Sequence, residues 1–324
     1  MNTEPVDNGP GQATSCDNRI WAASMQPGIL IDQLRFHWRT PRASVARSWP
    51  EGTQLLELPN ALVRARSTGT GSRTILLTPD APVVLENYGA LIELLVPHAR
   101  VICFEFPGCG FSFPRFGFNF TPSDYAGVIR GVMDAFQVER ATLAFTCVNA
   151  MMAMAFARRY PDRVDHLVLS QVASVQQMHA FVQRIDIRIA GLGLFSTPVV
   201  GQAFMALKQA YVAHGWFKIV LPKGFPVDAI WNLAKPAYDA GCAFCLSSLV
   251  QGQSSIAAQD LTIGDRRITV FWGDADRTHL KTDKDSIRMH APGVVIHHLP
   301  DRGHCLDIEA PEEFTHTQGQ PRRL

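Results

Sequence analysis

The stretch ATLAFTCVNAMMAMAFARRYPDRVDHLVLS, residues 141–170, decides how this chain is read. ATLAFT (141–146) is a short apolar run of strand length, VNAMMAMAFARRY (148–160) has the composition of a helix, and DHLVLS (165–170) returns to strand. The two strand runs are apolar almost throughout rather than alternating, which suits strands covered on both faces. Cys147 stands at the junction of the first strand and the helix. A side chain there is pushed out at the carboxyl end of the sheet, facing helix amides.

Outward from that stretch the same rhythm continues. RTILLT (73–78) and ARVICFEF (99–106) precede it as strands, with helical patterns at 84–97 and 122–137 between. RITVFWG (267–273) and GVVIHHL (293–299) follow as strands. TQLLEL and ALVRAR, separated by Pro59-Asn60, predict a hairpin at the start. Alternation of this kind predicts an α/β fold with a doubly wound, mostly parallel sheet. Residues 171–263 break the rhythm, being long, apolar and helix-like, and are expected to form a helical lid inserted after the sixth strand. Residues 1–50 are polar and without clear period, an N-terminal arm. The core is then 51–170 with 264–324.

Composition narrows the function. In 324 residues, 30 Lys+Arg face 29 Asp+Glu, and a net charge of +1 gives no field to attract nucleic acid or an anionic membrane. With 47% hydrophobic residues the chain can bury a sizeable core, yet no apolar run reaches the ~18 residues of a membrane span. The opening MNTEPVDNGPGQ lacks the apolar core of a leader. Seven cysteines, odd in number and scattered through core segments, suit a reducing cytoplasm better than a disulfide framework.

Three strand ends bring a nucleophile, a carboxylate and an imidazole together in chain order. Cys147 is the nucleophile, and the helix N-terminus behind it is expected to lower its pKa. In FWGDADR, Asp276 lies just past a strand, where a carboxylate can hold an imidazole in one tautomer; Asp274 competes for that role. In DRGHCLDIEAPEEF, His304 sits in a Gly-flanked loop and can reach its partners. His297 and His298 lie inside a strand and read as core or sheet-face residues.

On these residues the region from about 53 to 318 resembles the α/β-hydrolase fold family. F-T-C-V-N (145–149) resembles its nucleophile elbow, usually G-x-S-x-G, and FPGCGFSF (106–113) its P-G-x-G-x-S turn. WGDAD resembles the acid turn and RGHCLDIEAPEEF the histidine loop. The resemblance implies a triad of Cys147, His304 and Asp276, with the amides of Val148 and Asp80 as the oxyanion hole. The sequence departs from the family at several points: Cys replaces Ser, Phe145 and Asn149 replace small elbow residues, and Thr78-Pro79 replaces His-Gly.

A cysteine nucleophile carries a chemical preference. A thiolate leaves more readily than an alkoxide, so the tetrahedral intermediate from an alkyl ester collapses backwards, and turnover favours thioesters, activated esters and lactones. The aromatic side chains of the insertion, Trp216 and Trp231 among them, point to a small-molecule substrate with a bulky, largely apolar acyl part. Hydrolysis or acyl transfer is the leading expectation. The alternatives are a non-hydrolytic ligand-binding protein of the same fold, and a lyase or cyclase using the same pocket without an acyl-enzyme. No cofactor is expected, because no G-x-G-x-x-G opens a helix after a strand. No metal is expected either, since Cys242 and Cys245 form a lone C-x-x-C without a second pair. The sequence sets no oligomeric state.

Overall fold

The computed structural model describes residues 27–189, 191–264 and 267–319. Eight strands form the main sheet: β1 (Thr53–Leu58), β2 (Ala61–Thr68), β3 (Thr74–Thr78), β4 (Arg100–Phe104), β5 (Ala141–Thr146), β6 (Val164–Ser170), β7 (Ile268–Gly273) and β8 (Val295–Leu299). A short further strand, Phe113–Pro114, pairs with the start of β2. The spatial order is β1-β2-β4-β3-β5-β6-β7-β8. β1 and β2 make the expected antiparallel hairpin, β2 is antiparallel to β4, and every neighbouring pair from β4 to β8 is parallel.

Burial accounts for the continuous apolar runs. Leu76, Leu77, Val101, Ile102, Leu143, Val168, Leu169 and Val270 are fully buried, as central strands between two helical layers require. β8 is the edge strand and starts two residues later than expected. His297 and His298 are exposed on it, and His298 pairs with Asp274 at 3.0 Å rather than packing in the core.

Register brings the strand ends level. Thr78 pairs with Phe145, Thr146 with Ser170, and Ser170 with Phe271. From β3 the chain moves to β4 on one side, while β5 lies on the other, so the loops after β3 and β5 diverge and leave a crevice at the carboxyl edge.

The helices follow local signals. α1 (Pro27–Phe36) lies in the segment expected as an arm, and it buries Ile29, Asp32, Gln33 and Phe36. Residues 1–26 are outside the described residues. The single helix expected over 84–97 is instead a 3-10 turn, Leu85–Tyr88, followed by α2 (Gly89–Leu95), which ends two residues before Pro97. α3 (Pro122–Ala135) starts at a capping box: Thr121 Oγ1 accepts from the Asp124 amide, and Asp124 accepts from the Thr121 amide. α4 (Cys147–Arg159) packs against α3.

Between β6 and β7 the chain runs through α5 (Val175–Ile185), α6 (Val200–Val220), α7 (Val227–Asp239), α8 (Leu246–Gln253) and one helical turn, Ala258–Leu261. A two-residue strand, Ala243–Phe244, ties this excursion to Cys109–Gly110 in the turn after β4. That turn is held from below by Glu105, which is fully buried. It accepts from the amides of Leu85 and Phe111 at 3.0 and 2.8 Å and pairs with Arg64, itself fully buried. Gly110 has φ 54, and a Cβ there would lie 2.1 Å from the Glu105 carboxyl, so only glycine fits.

Candidate active site

Cys147 opens α4 directly after β5 with φ 54, in the left-handed region that a non-glycine residue occupies only under constraint. The constraint is packing: Phe145, Thr146 and Ala150 around it are almost fully buried. Thr146 Oγ1 lies 2.8 Å from Ser170 Oγ, fastening the end of β5 to that of β6. The sharp turn expected at F-T-C-V-N is therefore present without the usual glycines.

The histidine loop and the acid turn meet beside it. His304 Nδ1 lies 2.7 Å from Asp276 Oδ2. Asp276 Oδ1 accepts from the amide and hydroxyl of Thr278 at 2.8 and 2.7 Å, and Oδ2 also accepts from Gln171 Nε2 at 2.7 Å. Burial works against its charge, but the His304 imidazolium and these donors hold the carboxyl well below its ordinary range. Asp274 faces away, bonded to Lys284 and His298. The acid turn can come this close to the histidine loop because Gly273 has no Cβ, which would stand 1.9 Å from the Gly303 carbonyl oxygen. A ring nitrogen of His304, Sγ of Cys147 and a carboxylate oxygen of Asp80 lie within 4.8 Å of one another.

Of the expected site residues, Cys147, Asp276 and His304 thus come together. Val148 follows Cys147 in the first turn of α4, and its amide hydrogen-bonds the thiol. Asp80 differs from expectation. It enters the site by its side chain, with Oδ2 3.3 Å from His304 Nε2 and the side chain 13% exposed. Asn149 Nδ2 donates to the Pro79 carbonyl at 3.0 Å, fixing the loop that carries Asp80 against the elbow.

The electrostatics correct one expectation. Burial pushes the Cys147 thiol up to about 11, and the Asp80 charge adds to it; His304 and the Val148 amide lower it without prevailing. The helix N-terminus is thus outweighed by desolvation and a neighbouring carboxylate. At His304 burial disfavours the imidazolium, yet the Asp276 charge above all, with the hydrogen bonds of Asp276 and Asp80, raises its pKa well above the usual imidazole value. Both ring nitrogens have a carboxylate partner, the arrangement of an imidazolium.

Gln171, Thr278 and His279 were not singled out from the sequence. His279 is fully buried, its ring stacked 5.4 Å from that of His304 and 4.0 Å from that of Phe181 on α5. Burial and the His304 charge push its pKa down to about 3, so it packs on the site as a neutral ring. Gln171 directly follows β6, and that strand-end position was the one signal pointing to it.

Around the thiol lies a cavity of about 60 Å³, lined by Asp80, Cys109, Val148 and Asn149 and roofed by Phe181, Val182, Trp216 and Leu249 of the helical excursion. A larger outer cavity of about 630 Å³ shares Val182, Val250 and Gln253 with it. Cys242 and Cys245 are free and buried. Among the described residues no helix is long and apolar enough to cross a membrane.

Comparison with known proteins agrees with the architecture. A family profile described as alpha/beta hydrolase fold matches residues 82–192, a stretch that contains Cys147 and stops short of Asp276 and His304. The chain is 28% identical over 109 residues to a 2-hydroxy-6-oxo-2,4-heptadienoate hydrolase of Pseudomonas putida, covering 33% of this chain and 40% of that protein. It is 32% identical over 111 residues to a 2-hydroxy-6-oxononadienedioate/2-hydroxy-6-oxononatrienedioate hydrolase of Paraburkholderia phymatum, covering 33% of this chain and 38% of that protein. The matches span less than half the length of either relative. Among solved structures, a Pseudomonas aeruginosa protein carrying an epoxide hydrolase name superposes with a TM-score of 0.66 at 14% identity, over 82% of this chain and 94% of that one. A haloalkane dehalogenase loop variant from Bradyrhizobium elkanii gives 0.63 at 15% identity, over 82% of this chain and 94% of that one.

Proposed function

We propose that this chain, which has the α/β-hydrolase fold, is a cofactor-independent acyl-handling enzyme with Cys147 as nucleophile, His304 as base and then acid, and Asp276 orienting His304. The relatives named above are hydrolases, which agrees with an enzyme. The observation that carries the finer reading is the elbow: a left-handed Cys147 whose Sγ lies beside an imidazole that Asp276 holds at 2.7 Å.

In this reading His304 takes the thiol proton as Sγ attacks the acyl carbon. The amides of Val148 and Asp80 receive the developing oxyanion, and His304 returns the proton to the leaving group. The acyl-thioester then passes to water or another acceptor. Leaving-group chemistry favours thioesters, activated esters and lactones, and the apolar roof over the thiol favours a bulky apolar acyl part. The helices between β6 and β7 act as a lid. Free cysteines throughout the described residues suit a cytoplasmic location.

A second reading is favoured by one observation. A thiol pushed up to about 11, next to an imidazole already bonded by two carboxylates, suits proton transfer without an acyl-enzyme, as in a lyase or cyclase. Intact-mass spectrometry after incubation with aryl esters and acyl thioesters separates the two. An adduct lost in Cys147→Ala supports the acyl-enzyme. Turnover without any adduct, abolished by His304→Gln but not by Cys147→Ala, supports acid-base chemistry at His304 without an acyl-enzyme, the feature the second reading needs.

A further inference from the structure

Among the described residues Asp80 is the one Asp, Glu, Lys or Arg lining the inner cavity, which is otherwise bounded by Ala81, thiols, amides and apolar side chains. We propose that the Asp80 carboxylate makes this a site for neutral or cationic ligands, whose own N–H or O–H donor draws Asp80 away from His304 Nε2, and that the site rejects carboxylate substrates. The inference rests on the reading above only in taking Cys147 as the reacting centre.

The charge arithmetic is simple. Burial raises the Asp80 carboxyl above its ordinary value and the His304 imidazolium opposes that rise; with Asp80 and Asp276 ionised on either side of the imidazolium, the cluster carries one net negative charge. The other titratable groups facing Asp80 do not cancel it. Cys147 from α4 and Cys109 from the turn after β4 are held as neutral thiols by burial, as is Cys305 beside His304. Asp307, buried, has its pKa raised well above its ordinary value by desolvation and supplies no positive charge. Among the described residues no Lys or Arg lines the cavity to receive an anion. The relatives are named as hydrolases of a heptadienoate and of nonadienedioate or nonatrienedioate, all carboxylates, whereas an anionic group entering this cavity would meet the Asp80 carboxyl.

Asp80 also acts on the chemistry as a positioning residue. While Oδ2 accepts the Nε2 proton at 3.3 Å, His304 has no lone pair for the Cys147 proton. A ligand donor that engages Asp80 relieves both obstacles at once: it removes the acceptor that holds the Nε2 proton and screens the negative charge that opposes a thiolate. Asn149, by fixing the Pro79 carbonyl, keeps the Asp80 loop within reach of that donor.

Three methanethiosulfonate reagents of different charge test this on the full chain. In each, the Cys147 thiolate attacks the sulfenyl sulfur, forming a disulfide and releasing methanesulfinate. Rates at the Cys147 peptide are read by mass spectrometry. The 2-aminoethyl reagent is expected to react faster than the 2-sulfonatoethyl reagent by about tenfold or more, beyond the ratio seen in Asp80→Asn. In that variant the neutral methyl reagent reacts faster than in the unaltered protein, and the rise of its rate with pH begins lower. Asp80→Ser, checked by near-ultraviolet circular dichroism, serves if the amide variant misfolds. A charge ratio unchanged by either substitution, a preference for the anionic reagent, or Cys147 inert to all three overturns the proposal. Thiol exchange needs no acyl transfer, so a failed acyl-adduct experiment with the charge preference intact refutes the acyl reading and leaves this one standing.

Discussion

Asp32 offers the sharpest quantitative prediction. It lies on α1 with 1% of its surface exposed; Ser248 Oγ on α8 donates to Oδ2 at 2.8 Å, while Oδ1 has no hydrogen-bond partner among the described residues. Burial raises its pKa from 3.8 to about 6, against the opposing effects of Ser248 and Arg35. The folded state therefore holds this proton more tightly than the unfolded chain does. Below the ordinary value both states are protonated and there is no penalty. Between the two values the unfolded chain ionises first, so stability falls as pH rises, and above about 6 the whole penalty stands. At 1.36 kcal/mol per pH unit the full penalty is about 3 kcal/mol. About 2 kcal/mol of it develops between about pH 4.5 and about pH 7.5. Urea unfolding of the unaltered protein and Asp32→Asn at those two pH values reads this directly. The packing cost of the amide is independent of pH and cancels in the double difference, as do other titrating groups that do not contact Asp32. The variant is expected to gain about 2 kcal/mol relative to the unaltered protein on going to the higher pH. Equal losses in the two proteins would refute the argument that Asp32 is buried without adequate partners.

Three more predictions follow from the same kind of reasoning. Arg64→Ala leaves Glu105 buried without its cation and is expected to cost about 3–5 kcal/mol in urea unfolding, with Arg64→Met costing about as much unless Glu105 is also replaced by Gln. Asp276→Asn removes the strongest attraction on the His304 imidazolium, so the ring's pKa falls and acyl-adduct formation by an aryl ester is expected to slow by about a hundredfold or more. Trp216→Ala removes part of the roof over the thiol; labelling of Cys147 by a bulky maleimide is expected to accelerate, and an unchanged rate would show that entry takes another route.

Much of the fold could be read from the strands because their burial is two-sided and their sequence records it. β3, β5, β6 and β7 lie where the continuous apolar runs put them. α1 could not be read in this way: its inward face mixes Ile29 and Phe36 with Asp32, which accepts from Ser248 of α8, and Gln33, which donates to the Phe118 carbonyl, and so leaves no apolar stripe. At the site, Cys147, Asp276 and His304 were legible because each follows a strand. Asp80 was placed by its amide, and its side chain was not foreseen, because which way a side chain in a turn points depends on the loop it meets, here the histidine loop more than two hundred residues later. Similarly, the lowered thiol pKa expected from the helix N-terminus considered the dipole alone, while desolvation and Asp80 are properties of the assembled site.

The two cavities bear on how the site works. Space of about 60 Å³ around Cys147 admits a water or two and no acyl chain, whereas bound small molecules occupy roughly 300–1,000 Å³. The resting arrangement is thus closed in two senses: the roof of Phe181, Val182, Trp216 and Leu249 excludes substrate, and Asp80 occupies His304 Nε2. The outer cavity of about 630 Å³ has the required volume and meets the inner one at Val182, Val250 and Gln253. Gln253 ends α8 and its carbonyl oxygen lies 3.0 Å from His179 Nε2 on α5, so a hydrogen bond between two helices of the excursion lies at the junction. Phe181 lies on α5 as well, stacked on His279, which in turn stacks on His304. α5 thus contributes both to the roof over the thiol and, through Phe181 and His279, to the packing on the His304 imidazole.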